Sequence, residues 1–531
     1  MTMNQIKTAR SVLLENLIIY DGTGAPPVSG DVLISDGKLV AVGQVDSSLV
    51  PADAVRQDCK GLCASPGFID IHSHSDGGII LHPEAECLIR QGITTSVGGN
   101  CGGSAGGTSF WTEKNRDKYL ALGVRWEDFA GFLQAVEKVE PAVNLAMLFG
   151  HGDVRVTVLG NSGRKPTPEE KQKMLGVARA HMEAGAFGIS SGLEYVPGRF
   201  ADVDEMVTVS KPVAEQAGIH SMHMRNEGPM LFEAVGEAME IAEKSGVRFE
   251  ISHLKAVGED NWGKLPKVLE MLDEAKARGV DISADVYPYL ASSTELAIVL
   301  PDWVLENGKA AAVGLLVEGS PVRERIAAES HQRTERQGGW DKIVVISVEN
   351  PDDKWMEGLN LDQIARRCGK PPQEQALDIL ISSRMKVSII RHSMSEDDLV
   401  AAMKHPRVCF VTDGHVAVEA EGNIHPRSIG TYPRILGRYV REKQVLAMEE
   451  AIRKMTSLPA SKMQIRDRGA LKPGMAADVV LFDRETIIDN STYQKPWQFP
   501  SGIFGVFVNG RPVIWEGEVT GIRPGKVLRK R

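Results

Sequence analysis

Eight apolar, strand-like runs, each followed by a segment of helical character, recur through the middle of this 531-residue chain. They read GFIDIHSH, TTSVGG, NLAMLFGH, FGISSG, IHSMHMR, RFEISHLK, ISADVYPY and VCFVTDG, with amphipathic stretches such as PEEKQKMLGVARAHMEAG between them. Strands buried on both faces read as near-continuous apolar runs, and strands that alternate with helices build a parallel sheet. Eight such units predict an α/β chain folded as a (β/α)8 barrel. A doubly wound open sheet is the competing architecture. Two further apolar runs, KIVVISV and KVSIIRHS, fall between the seventh and eighth strands, and with the long stretch before them they predict an inserted subdomain at about residues 300–353.

The two ends have a different texture. SVLLENLIIYDG and GDVLISDGKLVAVG near the start, and ADVVLFD and GIFGVFVNGRPVIWEG near the end, read as short strands with Gly-rich turns. The economical reading is one small β-sandwich domain assembled from residues 1–65 and 455–531, around a catalytic barrel spanning 66–454.

Composition removes several function classes. With 61 Lys+Arg against 70 Asp+Glu the formal charge is −9, so no basic footprint for nucleic acid is present. With 42% hydrophobic and 25% charged residues the chain is globular. No apolar segment approaches the roughly 20 residues of a membrane span, and the N-terminus lacks a secretory signal. Six cysteines in so long a chain do not form a disulfide framework, and together these features predict a cytoplasmic protein.

Barrel enzymes keep their chemistry at the C-terminal ends of the strands. Here the first run ends in His72 and His74, the second is followed by Cys101 in GGNCGG, and the fifth and sixth carry His223 and His253. The eighth ends in Asp413. Side chains two apart on a strand share a face, so His72 and His74 can hold one ion together, whereas His220 and His223 face opposite ways and only one points inward. Cys101, His223 and His253 supply three ligands suited to zinc and leave a position open, the pattern of a catalytic site. His72, His74 and Asp413 form a second position, with Cys101 as a bridge between the two. Asp413 is placed to take a proton from water and return it to a leaving group. Each residue also has a bland reading: a buried free cysteine, a core or rim histidine, a turn aspartate before Gly414.

The motif series PGFIDIHSHSD, GITTSVGGNCG, LFGHGDVR, SSGLEYVPG, HMRNEG, ISHLK, DVYPY, SMSEDD, TDG, HPRSIGTYPR and RGALKPGMAADVVLFD resembles the amidohydrolase superfamily, and within it the N-acyl-D-amino-acid deacylase (D-aminoacylase) family. That resemblance implies a tight zinc at Cys101, His223 and His253, a weaker site around His72, His74 and Asp413, and Asp413 as general acid/base. It further implies that Arg427, Tyr287, Ser293 and Lys255 hold substrate, with Tyr195 lining the pocket. A guanidinium such as Arg427 suits the substrate α-carboxylate, which it grips with two parallel hydrogen bonds. Hydantoinase-like relatives bridge their metals with a modified lysine, a role that falls to Cys101 here. The expected reaction is zinc-dependent hydrolysis of an N-acyl-D-amino acid to a carboxylate and a free D-amino acid. The alternatives are a cyclic amide or dipeptide as substrate, or a barrel that has lost catalysis. The mostly apolar SSTELAIVLPDWV, with Trp303, favours neutral or hydrophobic D-side chains; Lys255 opposes this and keeps D-glutamate and D-aspartate in play.

Overall fold

The computed structural model describes residues 3–107, 110–160 and 162–530, with backbone alone for 110–115. Eight strands pair in parallel, in chain order: β1 (Phe68–Asp70), β2 (Ile93–Gly98), β3 (Asn144–Gly150), β4 (Gly188–Gly192), β5 (Ile219–His223), β6 (Arg248–Ile251), β7 (Ile282–Val286) and β8 (Val408–Phe410). The order never reverses, so there is no switch point of the kind a doubly wound sheet requires. The two edges meet just beyond β1 and β8. Asp413 N donates to His72 O (2.8 Å), His74 N donates to Gly414 O (2.7 Å), and His74 and His415 form a parallel bridge. Below them the buried Asp70 carboxylate accepts from Thr412 N (3.1 Å) and Thr412 Oγ1 (2.5 Å). The seam of the barrel is therefore sewn next to the histidine pair.

The helices form for local reasons and then pay their apolar stripe into the barrel. Pro168–Glu183, for example, begins at a capping box in which Thr167 and Glu170 satisfy each other's backbone N–H, with Pro168 at the first helical position. It buries Met174, Ala178 and Met182, a four-residue spacing that keeps one face on the barrel. His220 illustrates the strand alternation. Its ring turns outward to Ser191 Oγ (2.8 Å) and Ser210 Oγ (3.0 Å), and burial pushes its pKa down to about 3.

Between β7 and β8 lies an antiparallel three-stranded sheet, Ala291–Glu295, Val387–His392 and Ile343–Val348, with Val387–His392 in the centre. It has its own core, including Leu296, Leu300, Trp340, Leu361, Leu377 and Ile389. The unit thus reaches beyond 300–353, because its outer strand begins at 291 and its central strand ends at 392. Strands from both ends of the chain hydrogen-bond into one nine-stranded sheet, joined where Cys63–Pro66 pairs with Val479–Phe482. Leu14, Val32, Leu481, Phe507 and Trp515 pack together on it. Among the described residues no helix is long and apolar enough to cross a membrane.

Thr412→Val keeps the shape at the seam but leaves Asp70 with a buried, unmatched oxygen. The expected cost is about 1–3 kcal/mol, read as a lowered thermal midpoint against wild type. An unchanged midpoint would show that the seam does not depend on this bond.

Candidate metal centre

Cys101 sits in the loop after β2, in a left-handed backbone conformation (φ 54°) that side chains rarely adopt. The loop is pressed against its neighbours: a Cβ on Gly99 would lie 2.0 Å from Leu148 O, so only glycine fits beside the cysteine. Asn100 Nδ2 pins the same loop by donating to Val97 O (3.0 Å) and Ile71 O (3.3 Å). His253 (φ 35°) and Asp413 (φ 50°) share the left-handed backbone. Strain of this kind persists only where surrounding structure over-determines it, and it gathers at functional sites.

Three imidazoles converge on the Cys101 sulfur. Its Sγ is 3.4 Å from His72 Nε2, 3.7 Å from His253 Nε2 and 3.8 Å from His223 Nδ1. Burial by itself raises a thiol pKa, but His72, His223 and His253 outweigh it and hold Cys101 well below the usual range, as thiolate. A tetrahedral zinc with ordinary Zn–S and Zn–N bonds sets its ligand atoms roughly 3.3–3.6 Å apart. The sulfur-to-nitrogen distances match that spacing closely. His223 Nδ1 and His253 Nε2, at 2.8 Å, would open by about half an ångström to admit the ion.

The far side of each ring meets a carboxylate. His223 Nε2 donates to Glu194 Oε2 (3.0 Å), which leaves Nδ1 as the nitrogen that faces the sulfur and would bind an ion on losing its proton. His253 Nδ1 lies 3.0 Å from Glu227 Oε1, beside Lys255 Nζ at 2.7 Å. His72 Nδ1 is 3.2 Å from Asp285 Oδ1, which also accepts from His253 N (2.6 Å). Such outer carboxylates orient metal-binding imidazoles and raise their basicity. For His74 and His223 burial disfavours the cation, yet the neighbouring acids and thiolate lift their pKa values to about 9 and about 10. These donors suit a divalent cation: one thiolate, neutralisable imidazoles and an excess of buried acid.

A second group shares the same thiolate. His72, His74, Cys101 and Asp413 each offer an atom within 4.8 Å of the others. Asp413 Oδ1 is 3.1 Å from His74 Nε2 and 3.5 Å from His72 Nε2, while its Oδ2 is 2.7 Å from Arg427 Nη1. Burial would raise this carboxyl, but Arg427, His72 and His74 hold it well below the carboxylate range. His72 and His74 lie just past the end of β1, not within it, and His253 just past β6. The alternation of a regular strand therefore does not place them; the closing loops do.

The other expected residues fall around this centre at different distances. The Tyr195 ring lies on His223 (centroids 4.5 Å) and its hydroxyl is 3.3 Å from Thr294 Oγ1. Arg427 lies over the buried Tyr287 ring at 4.7 Å and keeps its Nε without a hydrogen-bond partner. Lys255 is engaged by Glu227 (2.6 Å). Ser293, in the outer strand of the inserted sheet, faces opposite to Thr294 and pairs across with Ile390. In the apolar run after it, Leu296, Ala297, Val299, Leu300, Val304 and Leu305 pack in the inserted unit's own core, and Trp303 Nε1 donates to Glu329 (2.8 Å). Glu194, Glu227 and Asp285 complete the centre; Asp285 stands at the C-terminal end of the seventh strand run, where site residues are expected, whereas Glu194 and Glu227 were not singled out from sequence. Their signal was present, in SSGLEYVPG and HMRNEG, but nothing in a linear pattern ties them to the rings they hold.

The sequence profile of the Amidohydrolase family matches residues 57–514. An N-acyl-D-glutamate deacylase of Alcaligenes xylosoxydans xylosoxydans is 33% identical over 98% of this chain and 96% of its own length. A D-aminoacylase of the same organism is 31% identical over 98% of this chain and 97% of its own. The crystal structure of the N-acyl-D-glutamate deacylase of Bordetella bronchiseptica, complexed with zinc and a phosphonate mimic of the tetrahedral intermediate, is similar at 32% identity and a TM-score of 0.81 over 98% of this chain and 99% of that one.

If Glu194 orients His223, Glu194→Gln weakens zinc retention by about 10–100-fold in a chelator competition while the fold stays intact. Retention equal to wild type would assign Glu194 a merely structural part.

Proposed function

The chain belongs to the amidohydrolase family, and from that premise we propose that it hydrolyses N-acyl-D-amino acids to a carboxylate and a free D-amino acid. The observation that carries this reading is the pair of adjacent ligand groups that share the Cys101 thiolate, with the Asp413–Arg427 ion pair beside them. Full-length similarity to deacylases of N-acyl-D-amino acids supports the same reading. In this reading Cys101, His223 and His253 hold one zinc tightly, and His72, His74 and Asp413 form a weaker second position. A divalent ion held there supplies Lewis acidity towards the amide carbonyl and acidifies water.

The residues do the rest. Asp413, ionised by its cationic neighbours, accepts the proton of the attacking water at a carboxylate oxygen. It then delivers that proton to the departing nitrogen, without which an amide anion would have to leave. Arg427 turns its unpartnered Nε edge to the substrate α-carboxylate and keeps Asp413 charged. Tyr287, beneath the guanidinium, and Tyr195, on the His223 ring, wall the site and exclude water, with Lys255, held by Glu227, at its margin. A cytoplasmic location accords with six cysteines that are all unpaired.

A panel of N-acetyl-D- and N-acetyl-L-amino acids, dihydropyrimidines and dipeptides tests the reaction class. Turnover confined to acyl-D-amino acids is the expected result; turnover of rings or dipeptides alone would sink the proposal. Asp413→Asn is expected to lower kcat by at least about 10³-fold while the tight zinc is retained, measured by metal analysis alongside the assay. A near-normal rate in that variant would rule out Asp413 as the proton carrier.

A further inference from the structure

Arg391, on the central strand of the inserted sheet, is 5% exposed and yet almost unmatched. Its Nη1 donates to Gln337 Oε1 (2.7 Å), while Nε and Nη2 are buried with no hydrogen-bond partner. A buried guanidinium without a counter-charge is costly, and native structures keep one for a reason. The unmatched pair matters, because Nε and Nη2 form the side-on edge with which a guanidinium grips a carboxylate through two parallel bonds.

Strand register says where that edge faces. Arg391 lies directly across from Ser292 in the antiparallel pair, so the two share a face of the sheet, and Thr294 shares it too. Thr294 touches Tyr195, and Tyr195 lies on the metal-centre imidazole of His223. Arg391 is thus on the barrel-mouth side of the inserted sheet. Glu194 and Glu227 are near enough to offset part of the burial that lowers its pKa, but neither forms an ion pair with it among the described residues. Glu194 is taken by His223 and Glu227 by Lys255.

The other cations of this region are engaged, Lys255 by Glu227 and Arg199 and Arg333 by Asp302, while Arg427 pairs with Asp413 through Nη1 and keeps Nε without a hydrogen-bond partner. Resting on the deacylase reading, we propose that Arg391 is a specificity residue that takes the side-chain carboxylate of an acidic N-acyl-D-amino acid. Arg427, on the Asp413 side of the centre, takes the α-carboxylate, so the two guanidiniums grip the two ends of a dicarboxylic product moiety.

The test compares kcat/KM for N-acetyl-D-glutamate, its uncharged isostere N-acetyl-D-glutamine, and N-acetyl-D-leucine, in wild type, Arg391→Gln and Arg391→Lys. Wild type is expected to favour the glutamate over the glutamine. Arg391→Gln should collapse that ratio by about 100-fold, chiefly through KM, with Arg391→Lys restoring part of it. The wild-type ratio needs no variant to fold. Wild type that hydrolyses the glutamine or leucine substrate as well as the glutamate overturns the proposal while leaving the deacylase reading intact. So does an Arg391-dependent preference for N-succinyl-D-leucine over N-acetyl-D-leucine, which would put the guanidinium on the acyl side. No turnover of any N-acyl-D-amino acid would overturn both readings.

Discussion

A half-buried thiolate set among three imidazoles is the constraint on which the rest of the structure turns. Cys101 lies within 3.8 Å of nitrogens from His72, His223 and His253, which descend from three different strands of the barrel. So many protonatable groups cannot be buried together without compensation. The compensation is a ring of carboxylates, Glu194, Glu227, Asp285 and Asp413, each fixed to a histidine or to the backbone beside one. The barrel makes this affordable by bringing eight strand ends to one mouth. Its closure through Asp70, Thr412 and His72 places the second ligand group against the first.

The backbone records the same demand. Cys101, His253 and Asp413 all adopt a left-handed conformation, each one or two residues past the regular strand or in a tight loop. Regular strands would point these side chains in alternate directions. The turns re-aim them at one point, and the glycines around Cys101 let the chain pass between neighbouring backbones.

Much of the fold was legible because burial on both faces leaves an apolar imprint. All eight strand runs, and both runs of the insertion, became strands. The identities of the convergent residues were legible too: each alone has a bland reading, but His72, His74, Cys101, His223, His253 and Asp413 together at strand ends point to one site. What was not legible depends on contacts between distant segments. Glu194 and Glu227 look like ordinary loop acids until their rings are in place. Arg391 reads as one charge at the end of an apolar run; only the register with Ser292 and the spent partners around it give it a direction. The segment 296–304 shows the converse: apolar residues near a site suggest a pocket wall, and only the structure shows that Leu296, Ala297, Val299, Leu300 and Val304 build a core for the inserted unit.

X-ray absorption at the zinc edge, on protein loaded with one equivalent of zinc, tests the centre most directly. The account predicts a single sulfur scatterer at about 2.3 Å together with imidazole nitrogens at about 2.0–2.1 Å. A first shell of nitrogen and oxygen alone, with no sulfur, would place the ion away from Cys101 and contradict the account at its foundation.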